Sequence, residues 1–94
     1  MLAQTLQYIK SKVNQNVIFT LTDFSVPLNV LAAIKNIDKV TNSVQVSFYL
    51  NGGNTYVAWY PITAMRVNKG TDVTTVYLEN SGLQITKIPH AEAY

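Results

Sequence analysis

The stretch IKNIDKVTNSVQV, residues 34–46, joins two segments in which apolar and polar residues alternate. The alternation reaches Ile37, stops over residues 38–42, and resumes at Val44 and Val46. A period of two is typical of a half-buried strand, and short polar side chains between two such runs favour a turn. The stretch therefore predicts two strands joined by a turn that begins with a carboxylate, Asp38, and ends with a carboxamide, Asn42.

The rest of the chain predicts one helix followed by further short strands. Leu2, Leu6, Ile9 and Val13 follow one another in steps of four, three and four, which predicts an amphipathic helix over residues 2–13. Alternation with β-branched and aromatic residues predicts the strands. The five predicted strands lie at about 17–22, 27–36, 43–50, 55–60 and 62–67. Two further alternating segments, 73–78 and 83–88, predict an extra C-terminal hairpin followed by a tail.

Length and composition indicate a single small domain that is poor in charge. The chain has 94 residues, of which 48% are hydrophobic and 13% charged, with a net charge of +2. A sheet this small must bend strongly to bury its inner face. We therefore expect a mainly β fold: an N-terminal α-helix, a five-stranded, strongly bent antiparallel sheet forming a small barrel over residues 1–67, and the hairpin in residues 68–94 as an extension of the same domain.

Several classes of function find no support in the residues. The chain has no cysteine, its single histidine is His90 in the predicted tail, and its five carboxylates are scattered. No pair of these groups has a catalytic spacing, and no cluster has the spacing of metal ligands. We therefore expect no enzyme activity, no metal and no cofactor. The N-terminus lacks the pattern of a signal peptide and no apolar run is long enough to span a bilayer, so we expect a cytoplasmic protein.

The order of the elements and the segment 32–42 resemble the Sm-like family, of which bacterial Hfq is one branch. The first motif of that family runs: small residue, any, aliphatic, two of any, aromatic, Asp, two of any, Met, Asn. Asp38 and Asn42 match the motif in identity. Ala32, Ile34 and Ile37 match it in size or polarity, and Thr41 replaces the usual Met. The resemblance covers about residues 1–67.

The resemblance implies a site for single-stranded RNA at the turn after the second strand. The Asn amide carries donors and acceptors that can bond a base edge, a lysine can neutralise phosphate, and an aromatic ring can stack on a base. This chain departs from the family by having valine at the usual stacking position and no basic residue after the fourth strand. The predicted RNA-binding residues are Asp38, Lys39, Val40, Asn42 and Tyr60.

The resemblance also implies a closed ring of identical subunits, in which the fourth strand of one copy pairs with the fifth of the next. The segment TYVAWYPITAMRV, residues 55–67, supports this independently because it is apolar, aromatic and nearly uncharged. An unpaired strand of that kind invites aggregation unless a partner covers it. The predicted subunit interface consists of Tyr56, Trp59, Ile62, Met65 and Val67.

Three functions therefore stand as hypotheses. The first is an Sm-like homo-oligomeric ring that binds single-stranded RNA, as an RNA chaperone or an accessory to RNA processing. The second is a ring that serves as a structural or assembly component, for example of a virus-like particle, without RNA. The third is an SH3-like barrel that binds a peptide with Trp59, Tyr60 and Tyr49. Ring formation separates the third from the others, and bound nucleic acid separates the first from the second.

Overall fold

The computed structural model describes residues 2–50 and 53–83 of the chain. These residues form an N-terminal helix followed by strands. The prediction of a mainly β fold with an N-terminal helix is therefore confirmed. A short 3-10 turn, Ile62–Ala64, separates the fourth strand from the fifth. The elements are α1 (Leu2–Ser11), β1 (Asn16–Leu21), β2 (Leu28–Asp38), β3 (Ser43–Tyr49), β4 (Thr55–Pro61), β5 (Met65–Lys69) and β6 (Thr74–Leu78).

The strands form one open sheet in the order β4-β3-β2-β1-β6-β5. Every neighbouring pair is antiparallel except β1 and β6, which run parallel. The prediction of a small barrel built on five antiparallel strands is therefore wrong in two respects. The sheet has six strands, and its end strands β4 and β5 do not pair with each other to close it.

The sixth strand occupies a position that the sequence pattern did not predict. The segment 73–78 was expected to pair with 83–88, but β6 instead pairs with β5 on one side and with β1 on the other. In that position Val76 lies opposite Phe19 and Leu78 opposite Leu21, and all four side chains are fully buried. Burial of these apolar groups against β1 explains why β6 lies inside the sheet. Residues 84–88 of the predicted partner strand lie outside the described residues.

Two element boundaries also differ from those predicted. The helix ends at Ser11 rather than at residue 13, because Val13 forms an isolated parallel bridge with Ile34 of β2. The fifth strand begins at Met65 rather than at residue 62, because the residues after Pro61 turn as a 3-10 helix. The strands in 17–50 lie within one or two residues of their predicted bounds.

The core lies between the inner face of the sheet and α1. Phe48 of β3 is at its centre: its ring lies 5.7 Å from that of Phe19 and 6.1 Å from that of Tyr60, both in edge-to-face geometry. Aromatic pairs at this spacing stabilise a core beyond the area that they bury. A register shift in β2 between Ile34 and Asn36 is an irregularity of the kind that bends a strand. The bend lets a small sheet enclose these side chains.

Candidate functional site

The turn between β2 and β3, residues 38–42, is held by its own polar groups. Oδ1 of Asp38 accepts hydrogen bonds from the backbone N–H of Val40 at 2.9 Å and of Thr41 at 3.4 Å. Asn42 has a positive φ of 54°, and its carbonyl accepts a hydrogen bond from the N–H of Ile62 at 2.8 Å. Asp38 and Asn42 therefore shape the turn and attach it to the segment that follows β4.

The structure brings only part of the predicted RNA site to the surface. Lys39 and Val40 lie at the tip of the turn, where Val40 is 92% exposed. Tyr60 is buried, and its hydroxyl donates a hydrogen bond to the carbonyl of Ser81. Burial, followed by the nearby Tyr56 and Asp23, raises the pKa of Tyr60 above its ordinary value of 10.0. A base could not stack on Tyr60 without disrupting this packing.

Tyr60 belongs to a polar cluster that the sequence pattern did not reveal. Ser81 is buried; its N–H donates to the carboxylate of Asp23 at 3.1 Å, and its hydroxyl donates to both carboxylate oxygens at 3.2 and 3.3 Å. Asp23 and Ser81 are 58 residues apart, and no local spacing signals such a pair. The cluster attaches the segment after β6 to the end of β1 and to β4, which is a structural role.

The predicted interface residues divide into two groups. Ile62 and Met65 are buried in the core of their own chain, so they are not available to a neighbouring copy while the fold is intact. Tyr56 and Val67 are half-buried, and Trp59 is 50% exposed. The structure therefore leaves Trp59 as the most accessible of the five.

In the middle of β4, two residues have open backbone groups that point away from β3. The N–H of Ile62 bonds to Asn42 and the N–H of Leu50 bonds to Asn54, which places the hydrogen-bonded pairs of the β3–β4 ladder at even-numbered residues of β4. Val57 and Trp59 therefore direct their N–H and C=O groups away from β3. Neither residue has another hydrogen-bond partner in the described chain. We call the outward backbone groups of these two residues the β4 edge.

The outer side of the sheet next to this edge combines apolar side chains with uncharged amides. Val57 is 49% exposed, and Tyr49 of β3 is also exposed. Beside Trp59 lies Gln45, whose side-chain oxygen accepts a hydrogen bond from the Asn36 amide at 2.6 Å. No residue of β4 carries a charge. Of the three residues that the peptide-binding hypothesis requires, Trp59 and Tyr49 are exposed on this surface, whereas Tyr60 is buried.

The described part of the chain offers no metal centre. Within residues 2–50 and 53–83, no group of three His, Cys, Asp or Glu side chains comes close enough together to hold an ion. The only α-helix of these residues, α1, is too short to cross a membrane.

Comparison with known proteins returns no relative: no family model, no curated protein and no solved structure matches the chain. The resemblance to the Sm-like family stays a prediction, which depends on the motif residues at 32–42 and on the order of the elements.

Proposed function

We propose that the chain is a structural subunit that assembles with copies of itself through the β4 edge. The observation that carries this proposal is that the outward backbone groups of Val57 and Trp59 have no partner among the described residues. They lie on an uncharged strand, and the side chains of these two residues are half exposed. Edge strands of stable monomers are commonly protected by charged side chains, and β4 has only Pro61, at its end, as a protecting residue. Such a strand is suited to pairing with another strand.

A second copy of β4 fits this edge without conflict. In a two-fold contact the same surface of both copies meets, so any charge on that surface would face a like charge. Because β4 has no charged residue, its two copies meet without this repulsion. A two-fold axis beside Val57 places this residue opposite its own copy and Trp59 opposite Thr55. The two sheets would then continue across the contact as antiparallel neighbours.

Ring closure through β4 and β5, as predicted from the sequence, is the other arrangement. It would place the uncharged β4 beside Arg66 and Lys69 of β5, and β4 has no carboxylate to meet them. Burying a cation without a partner costs free energy, whereas the two-fold contact leaves both cations in water. The two-fold contact is therefore the arrangement that we favour.

Binding of single-stranded RNA is the second candidate. The observation that favours it is the exposed Trp59 ring next to the amides of Gln45 and Asn36, since rings stack on bases and amides bond their edges. The cations on β2 and in the turn that follows it are the exposed Lys35 and Lys39. Affinity for RNA depends strongly on neutralised phosphates, and two lysines supply little of it.

Sedimentation of the purified protein over a range of concentrations tests the assembly. We expect the wild type to form dimers and Val57→Lys to be monomeric, because the substitution places two ammonium groups opposite each other across the axis. Val73→Lys is the matched control: Val73 is 50% exposed, as Val57 is 49% exposed, but lies in the turn between β5 and β6. It should remain dimeric.

Four outcomes would overturn the proposal or change its form. A monomeric wild type, or a Val57→Lys variant that still dimerises, would overturn assembly through β4. A larger, closed oligomer that Val57→Lys disrupts would replace the two-fold contact by a ring. Anisotropy of a labelled oligouridylate of about ten nucleotides tests the second candidate: binding that Trp59→Ala and Lys39→Ala both weaken would favour RNA over structural assembly.

A further inference from the structure

The second end of the sheet borders a groove that the proposed self-assembly does not use. The groove lies between α1 and β5 and has a volume of about 1090 Å³. That volume is at the upper limit of pockets for small ligands, which span roughly 300–1,000 Å³, and it suits a longer segment. The lining residues are Gln4, Thr5, Gln7, Tyr8, Ser11, Thr63, Met65, Arg66, Val67 and Lys69.

The groove runs along the edge of β5 rather than over one of its faces. Successive side chains of a strand point to opposite faces, yet the consecutive residues Met65, Arg66 and Val67 all line the groove. A space that runs along the edge of a strand is lined by residues from both of its faces. The edge in question is the one directed away from β6, since β5 is an end strand of the sheet.

Backbone groups along this edge are open to a partner. The N–H of Gly70 bonds to Val73 and that of Glu79 bonds to Ala64, so the hydrogen-bonded pairs with β6 fall at even-numbered residues of β5. Val67 and Lys69 therefore direct their N–H and C=O groups into the groove. Neither residue has another hydrogen-bond partner among the described residues. The N–H of Met65, by contrast, already bonds to Ile62.

The charge of the groove is positive. Arg66 and Lys69 line it, and Nζ of Lys12 lies 5.7 Å from the centre of the Tyr8 ring at its helical side. No aspartate or glutamate is among the described residues that line it. Arg66 is positioned by an aromatic ring instead of a carboxylate: its guanidinium carbon lies 5.3 Å from the centre of the Tyr77 ring. The cations are thus left for an external anion.

We propose that this groove binds an extended, acidic peptide segment of a partner protein, which adds to the sheet as a strand beside β5. The open groups of Val67 and Lys69 supply backbone hydrogen bonds, as in other complexes formed by strand addition. Arg66 and Lys69 select acidic side chains on the added strand. Nucleic acid fits less well, because a phosphate backbone lacks the alternating N–H and C=O groups that a strand edge pairs with.

Fluorescence anisotropy with a labelled peptide of about seven residues, alternating glutamate and valine, tests the proposal. We expect binding to the wild type, and binding weaker by about tenfold or more to the double variant Arg66→Glu and Lys69→Glu. The double variant Lys35→Glu and Lys39→Glu makes the same change in net charge at two exposed lysines that do not line the groove, and should bind as the wild type does. Circular dichroism verifies that both variants fold.

Two further probes separate strand addition from general attraction between charges. A second peptide has the same sequence but carries N-methyl groups on alternate amides, chosen to block pairing with β5. Its affinity should be lower by about tenfold or more. Amide resonances of Val67 and Lys69 should shift when the unmodified peptide is added. Equal binding of the N-methylated peptide would overturn strand addition.

The remaining outcomes also decide the proposal. Equal loss of affinity in the two double variants, or an oligouridylate that displaces the peptide from the groove, would overturn it. Peptide binding to monomeric Val57→Lys but not to the wild type would also overturn it, because the groove would then hold β4 of another copy. Peptide binding to a wild type that sediments as a monomer would support it while removing the proposed self-assembly.

Discussion

The two ends of the sheet have open backbone groups of the same kind, but their side chains differ in charge. At one end, Val57 and Trp59 of β4 lie on a strand without charge. At the other end, Val67 and Lys69 of β5 border a groove that contains Arg66 and no described carboxylate. Backbone hydrogen bonding alone would let any strand pair with either end. The charge of the side chains is what distinguishes the two ends.

This difference indicates how one small sheet can select two partners. An uncharged edge tolerates its own copy, because a two-fold contact creates no like-charge pair. A cationic edge repels its own copy and favours an acidic strand. The central strands β1, β2, β3 and β6 are paired on both sides, so neither contact requires a change in the core.

The largest expected effect comes from the core that the two ends share. Phe48 contacts Phe19 of β1 and Tyr60 of β4, and it is fully buried. Replacing it with alanine removes these contacts and leaves a cavity, which should lower the free energy of unfolding by about 3–5 kcal/mol. Urea denaturation monitored by circular dichroism measures the loss. A loss below about 1 kcal/mol would contradict the central position of Phe48.

A proline pair on β4 sharpens the comparison by testing which backbone groups are open. The N–H of Ala58 points toward Val46 of β3, whereas that of Val57 points outward. Ala58→Pro removes a ladder hydrogen bond and should cost about 3 kcal/mol of unfolding free energy. Val57→Pro removes no internal bond and should cost clearly less, while abolishing the dimer. Equal costs in urea denaturation would show that the assignment of the β4 edge is mistaken.

A smaller effect is expected from the hydroxyl that attaches the β4 end to the segment after β6. Tyr60→Phe leaves the buried carbonyl of Ser81 without its donor and should cost about 1–2 kcal/mol of unfolding free energy. This hydroxyl bonds to Ser81 and not to a residue of β5, so peptide binding to the groove should be unchanged. Thermal and urea denaturation measure the loss of stability, and the peptide titration measures the affinity of the groove.

The pH dependence of stability gives the same residue a second test. Burial raises the pKa of Tyr60 above its ordinary value of 10.0. Below pH 10 the folded and unfolded chains both keep the proton. Above pH 10 the unfolded chain loses it while the folded chain retains it, so the unfolded state binds fewer protons and stability falls as pH rises. Above pH 10 the free energy of unfolding should fall less steeply in Tyr60→Phe than in the wild type. Equal slopes would contradict the raised pKa of Tyr60.

Local patterns predicted the elements better than their arrangement. The helix and the first four strands follow from apolar spacing, because each segment must direct one face toward the core. The position of β6 could not be read in this way: alternation in VTTVYL predicts a strand but does not specify which neighbour it pairs with. Its parallel pairing with β1 depends on burial of Val76 and Leu78 against residues more than 50 positions away.

The candidate sites were predictable to different degrees. The absence of charge from β4 is visible in the sequence, whereas the burial of Tyr60 was missed, since this residue was predicted to contact RNA. The burial of Ile62 and Met65 was missed because the 3-10 turn shifts the strand pattern after Pro61. The groove beside β5 was invisible in the sequence, because it requires α1 and a strand about sixty residues later to come together.

Hydrogen exchange of four backbone amides, followed by NMR over a range of protein concentrations, tests the central claim most directly. The two-fold contact predicts that the amides of Val57 and Trp59 become protected as the concentration rises, while those of Val67 and Lys69 continue to exchange rapidly. Protection of all four amides together would contradict it in favour of a ring that joins β4 to β5. Rapid exchange of all four at every concentration would contradict self-assembly through β4 altogether.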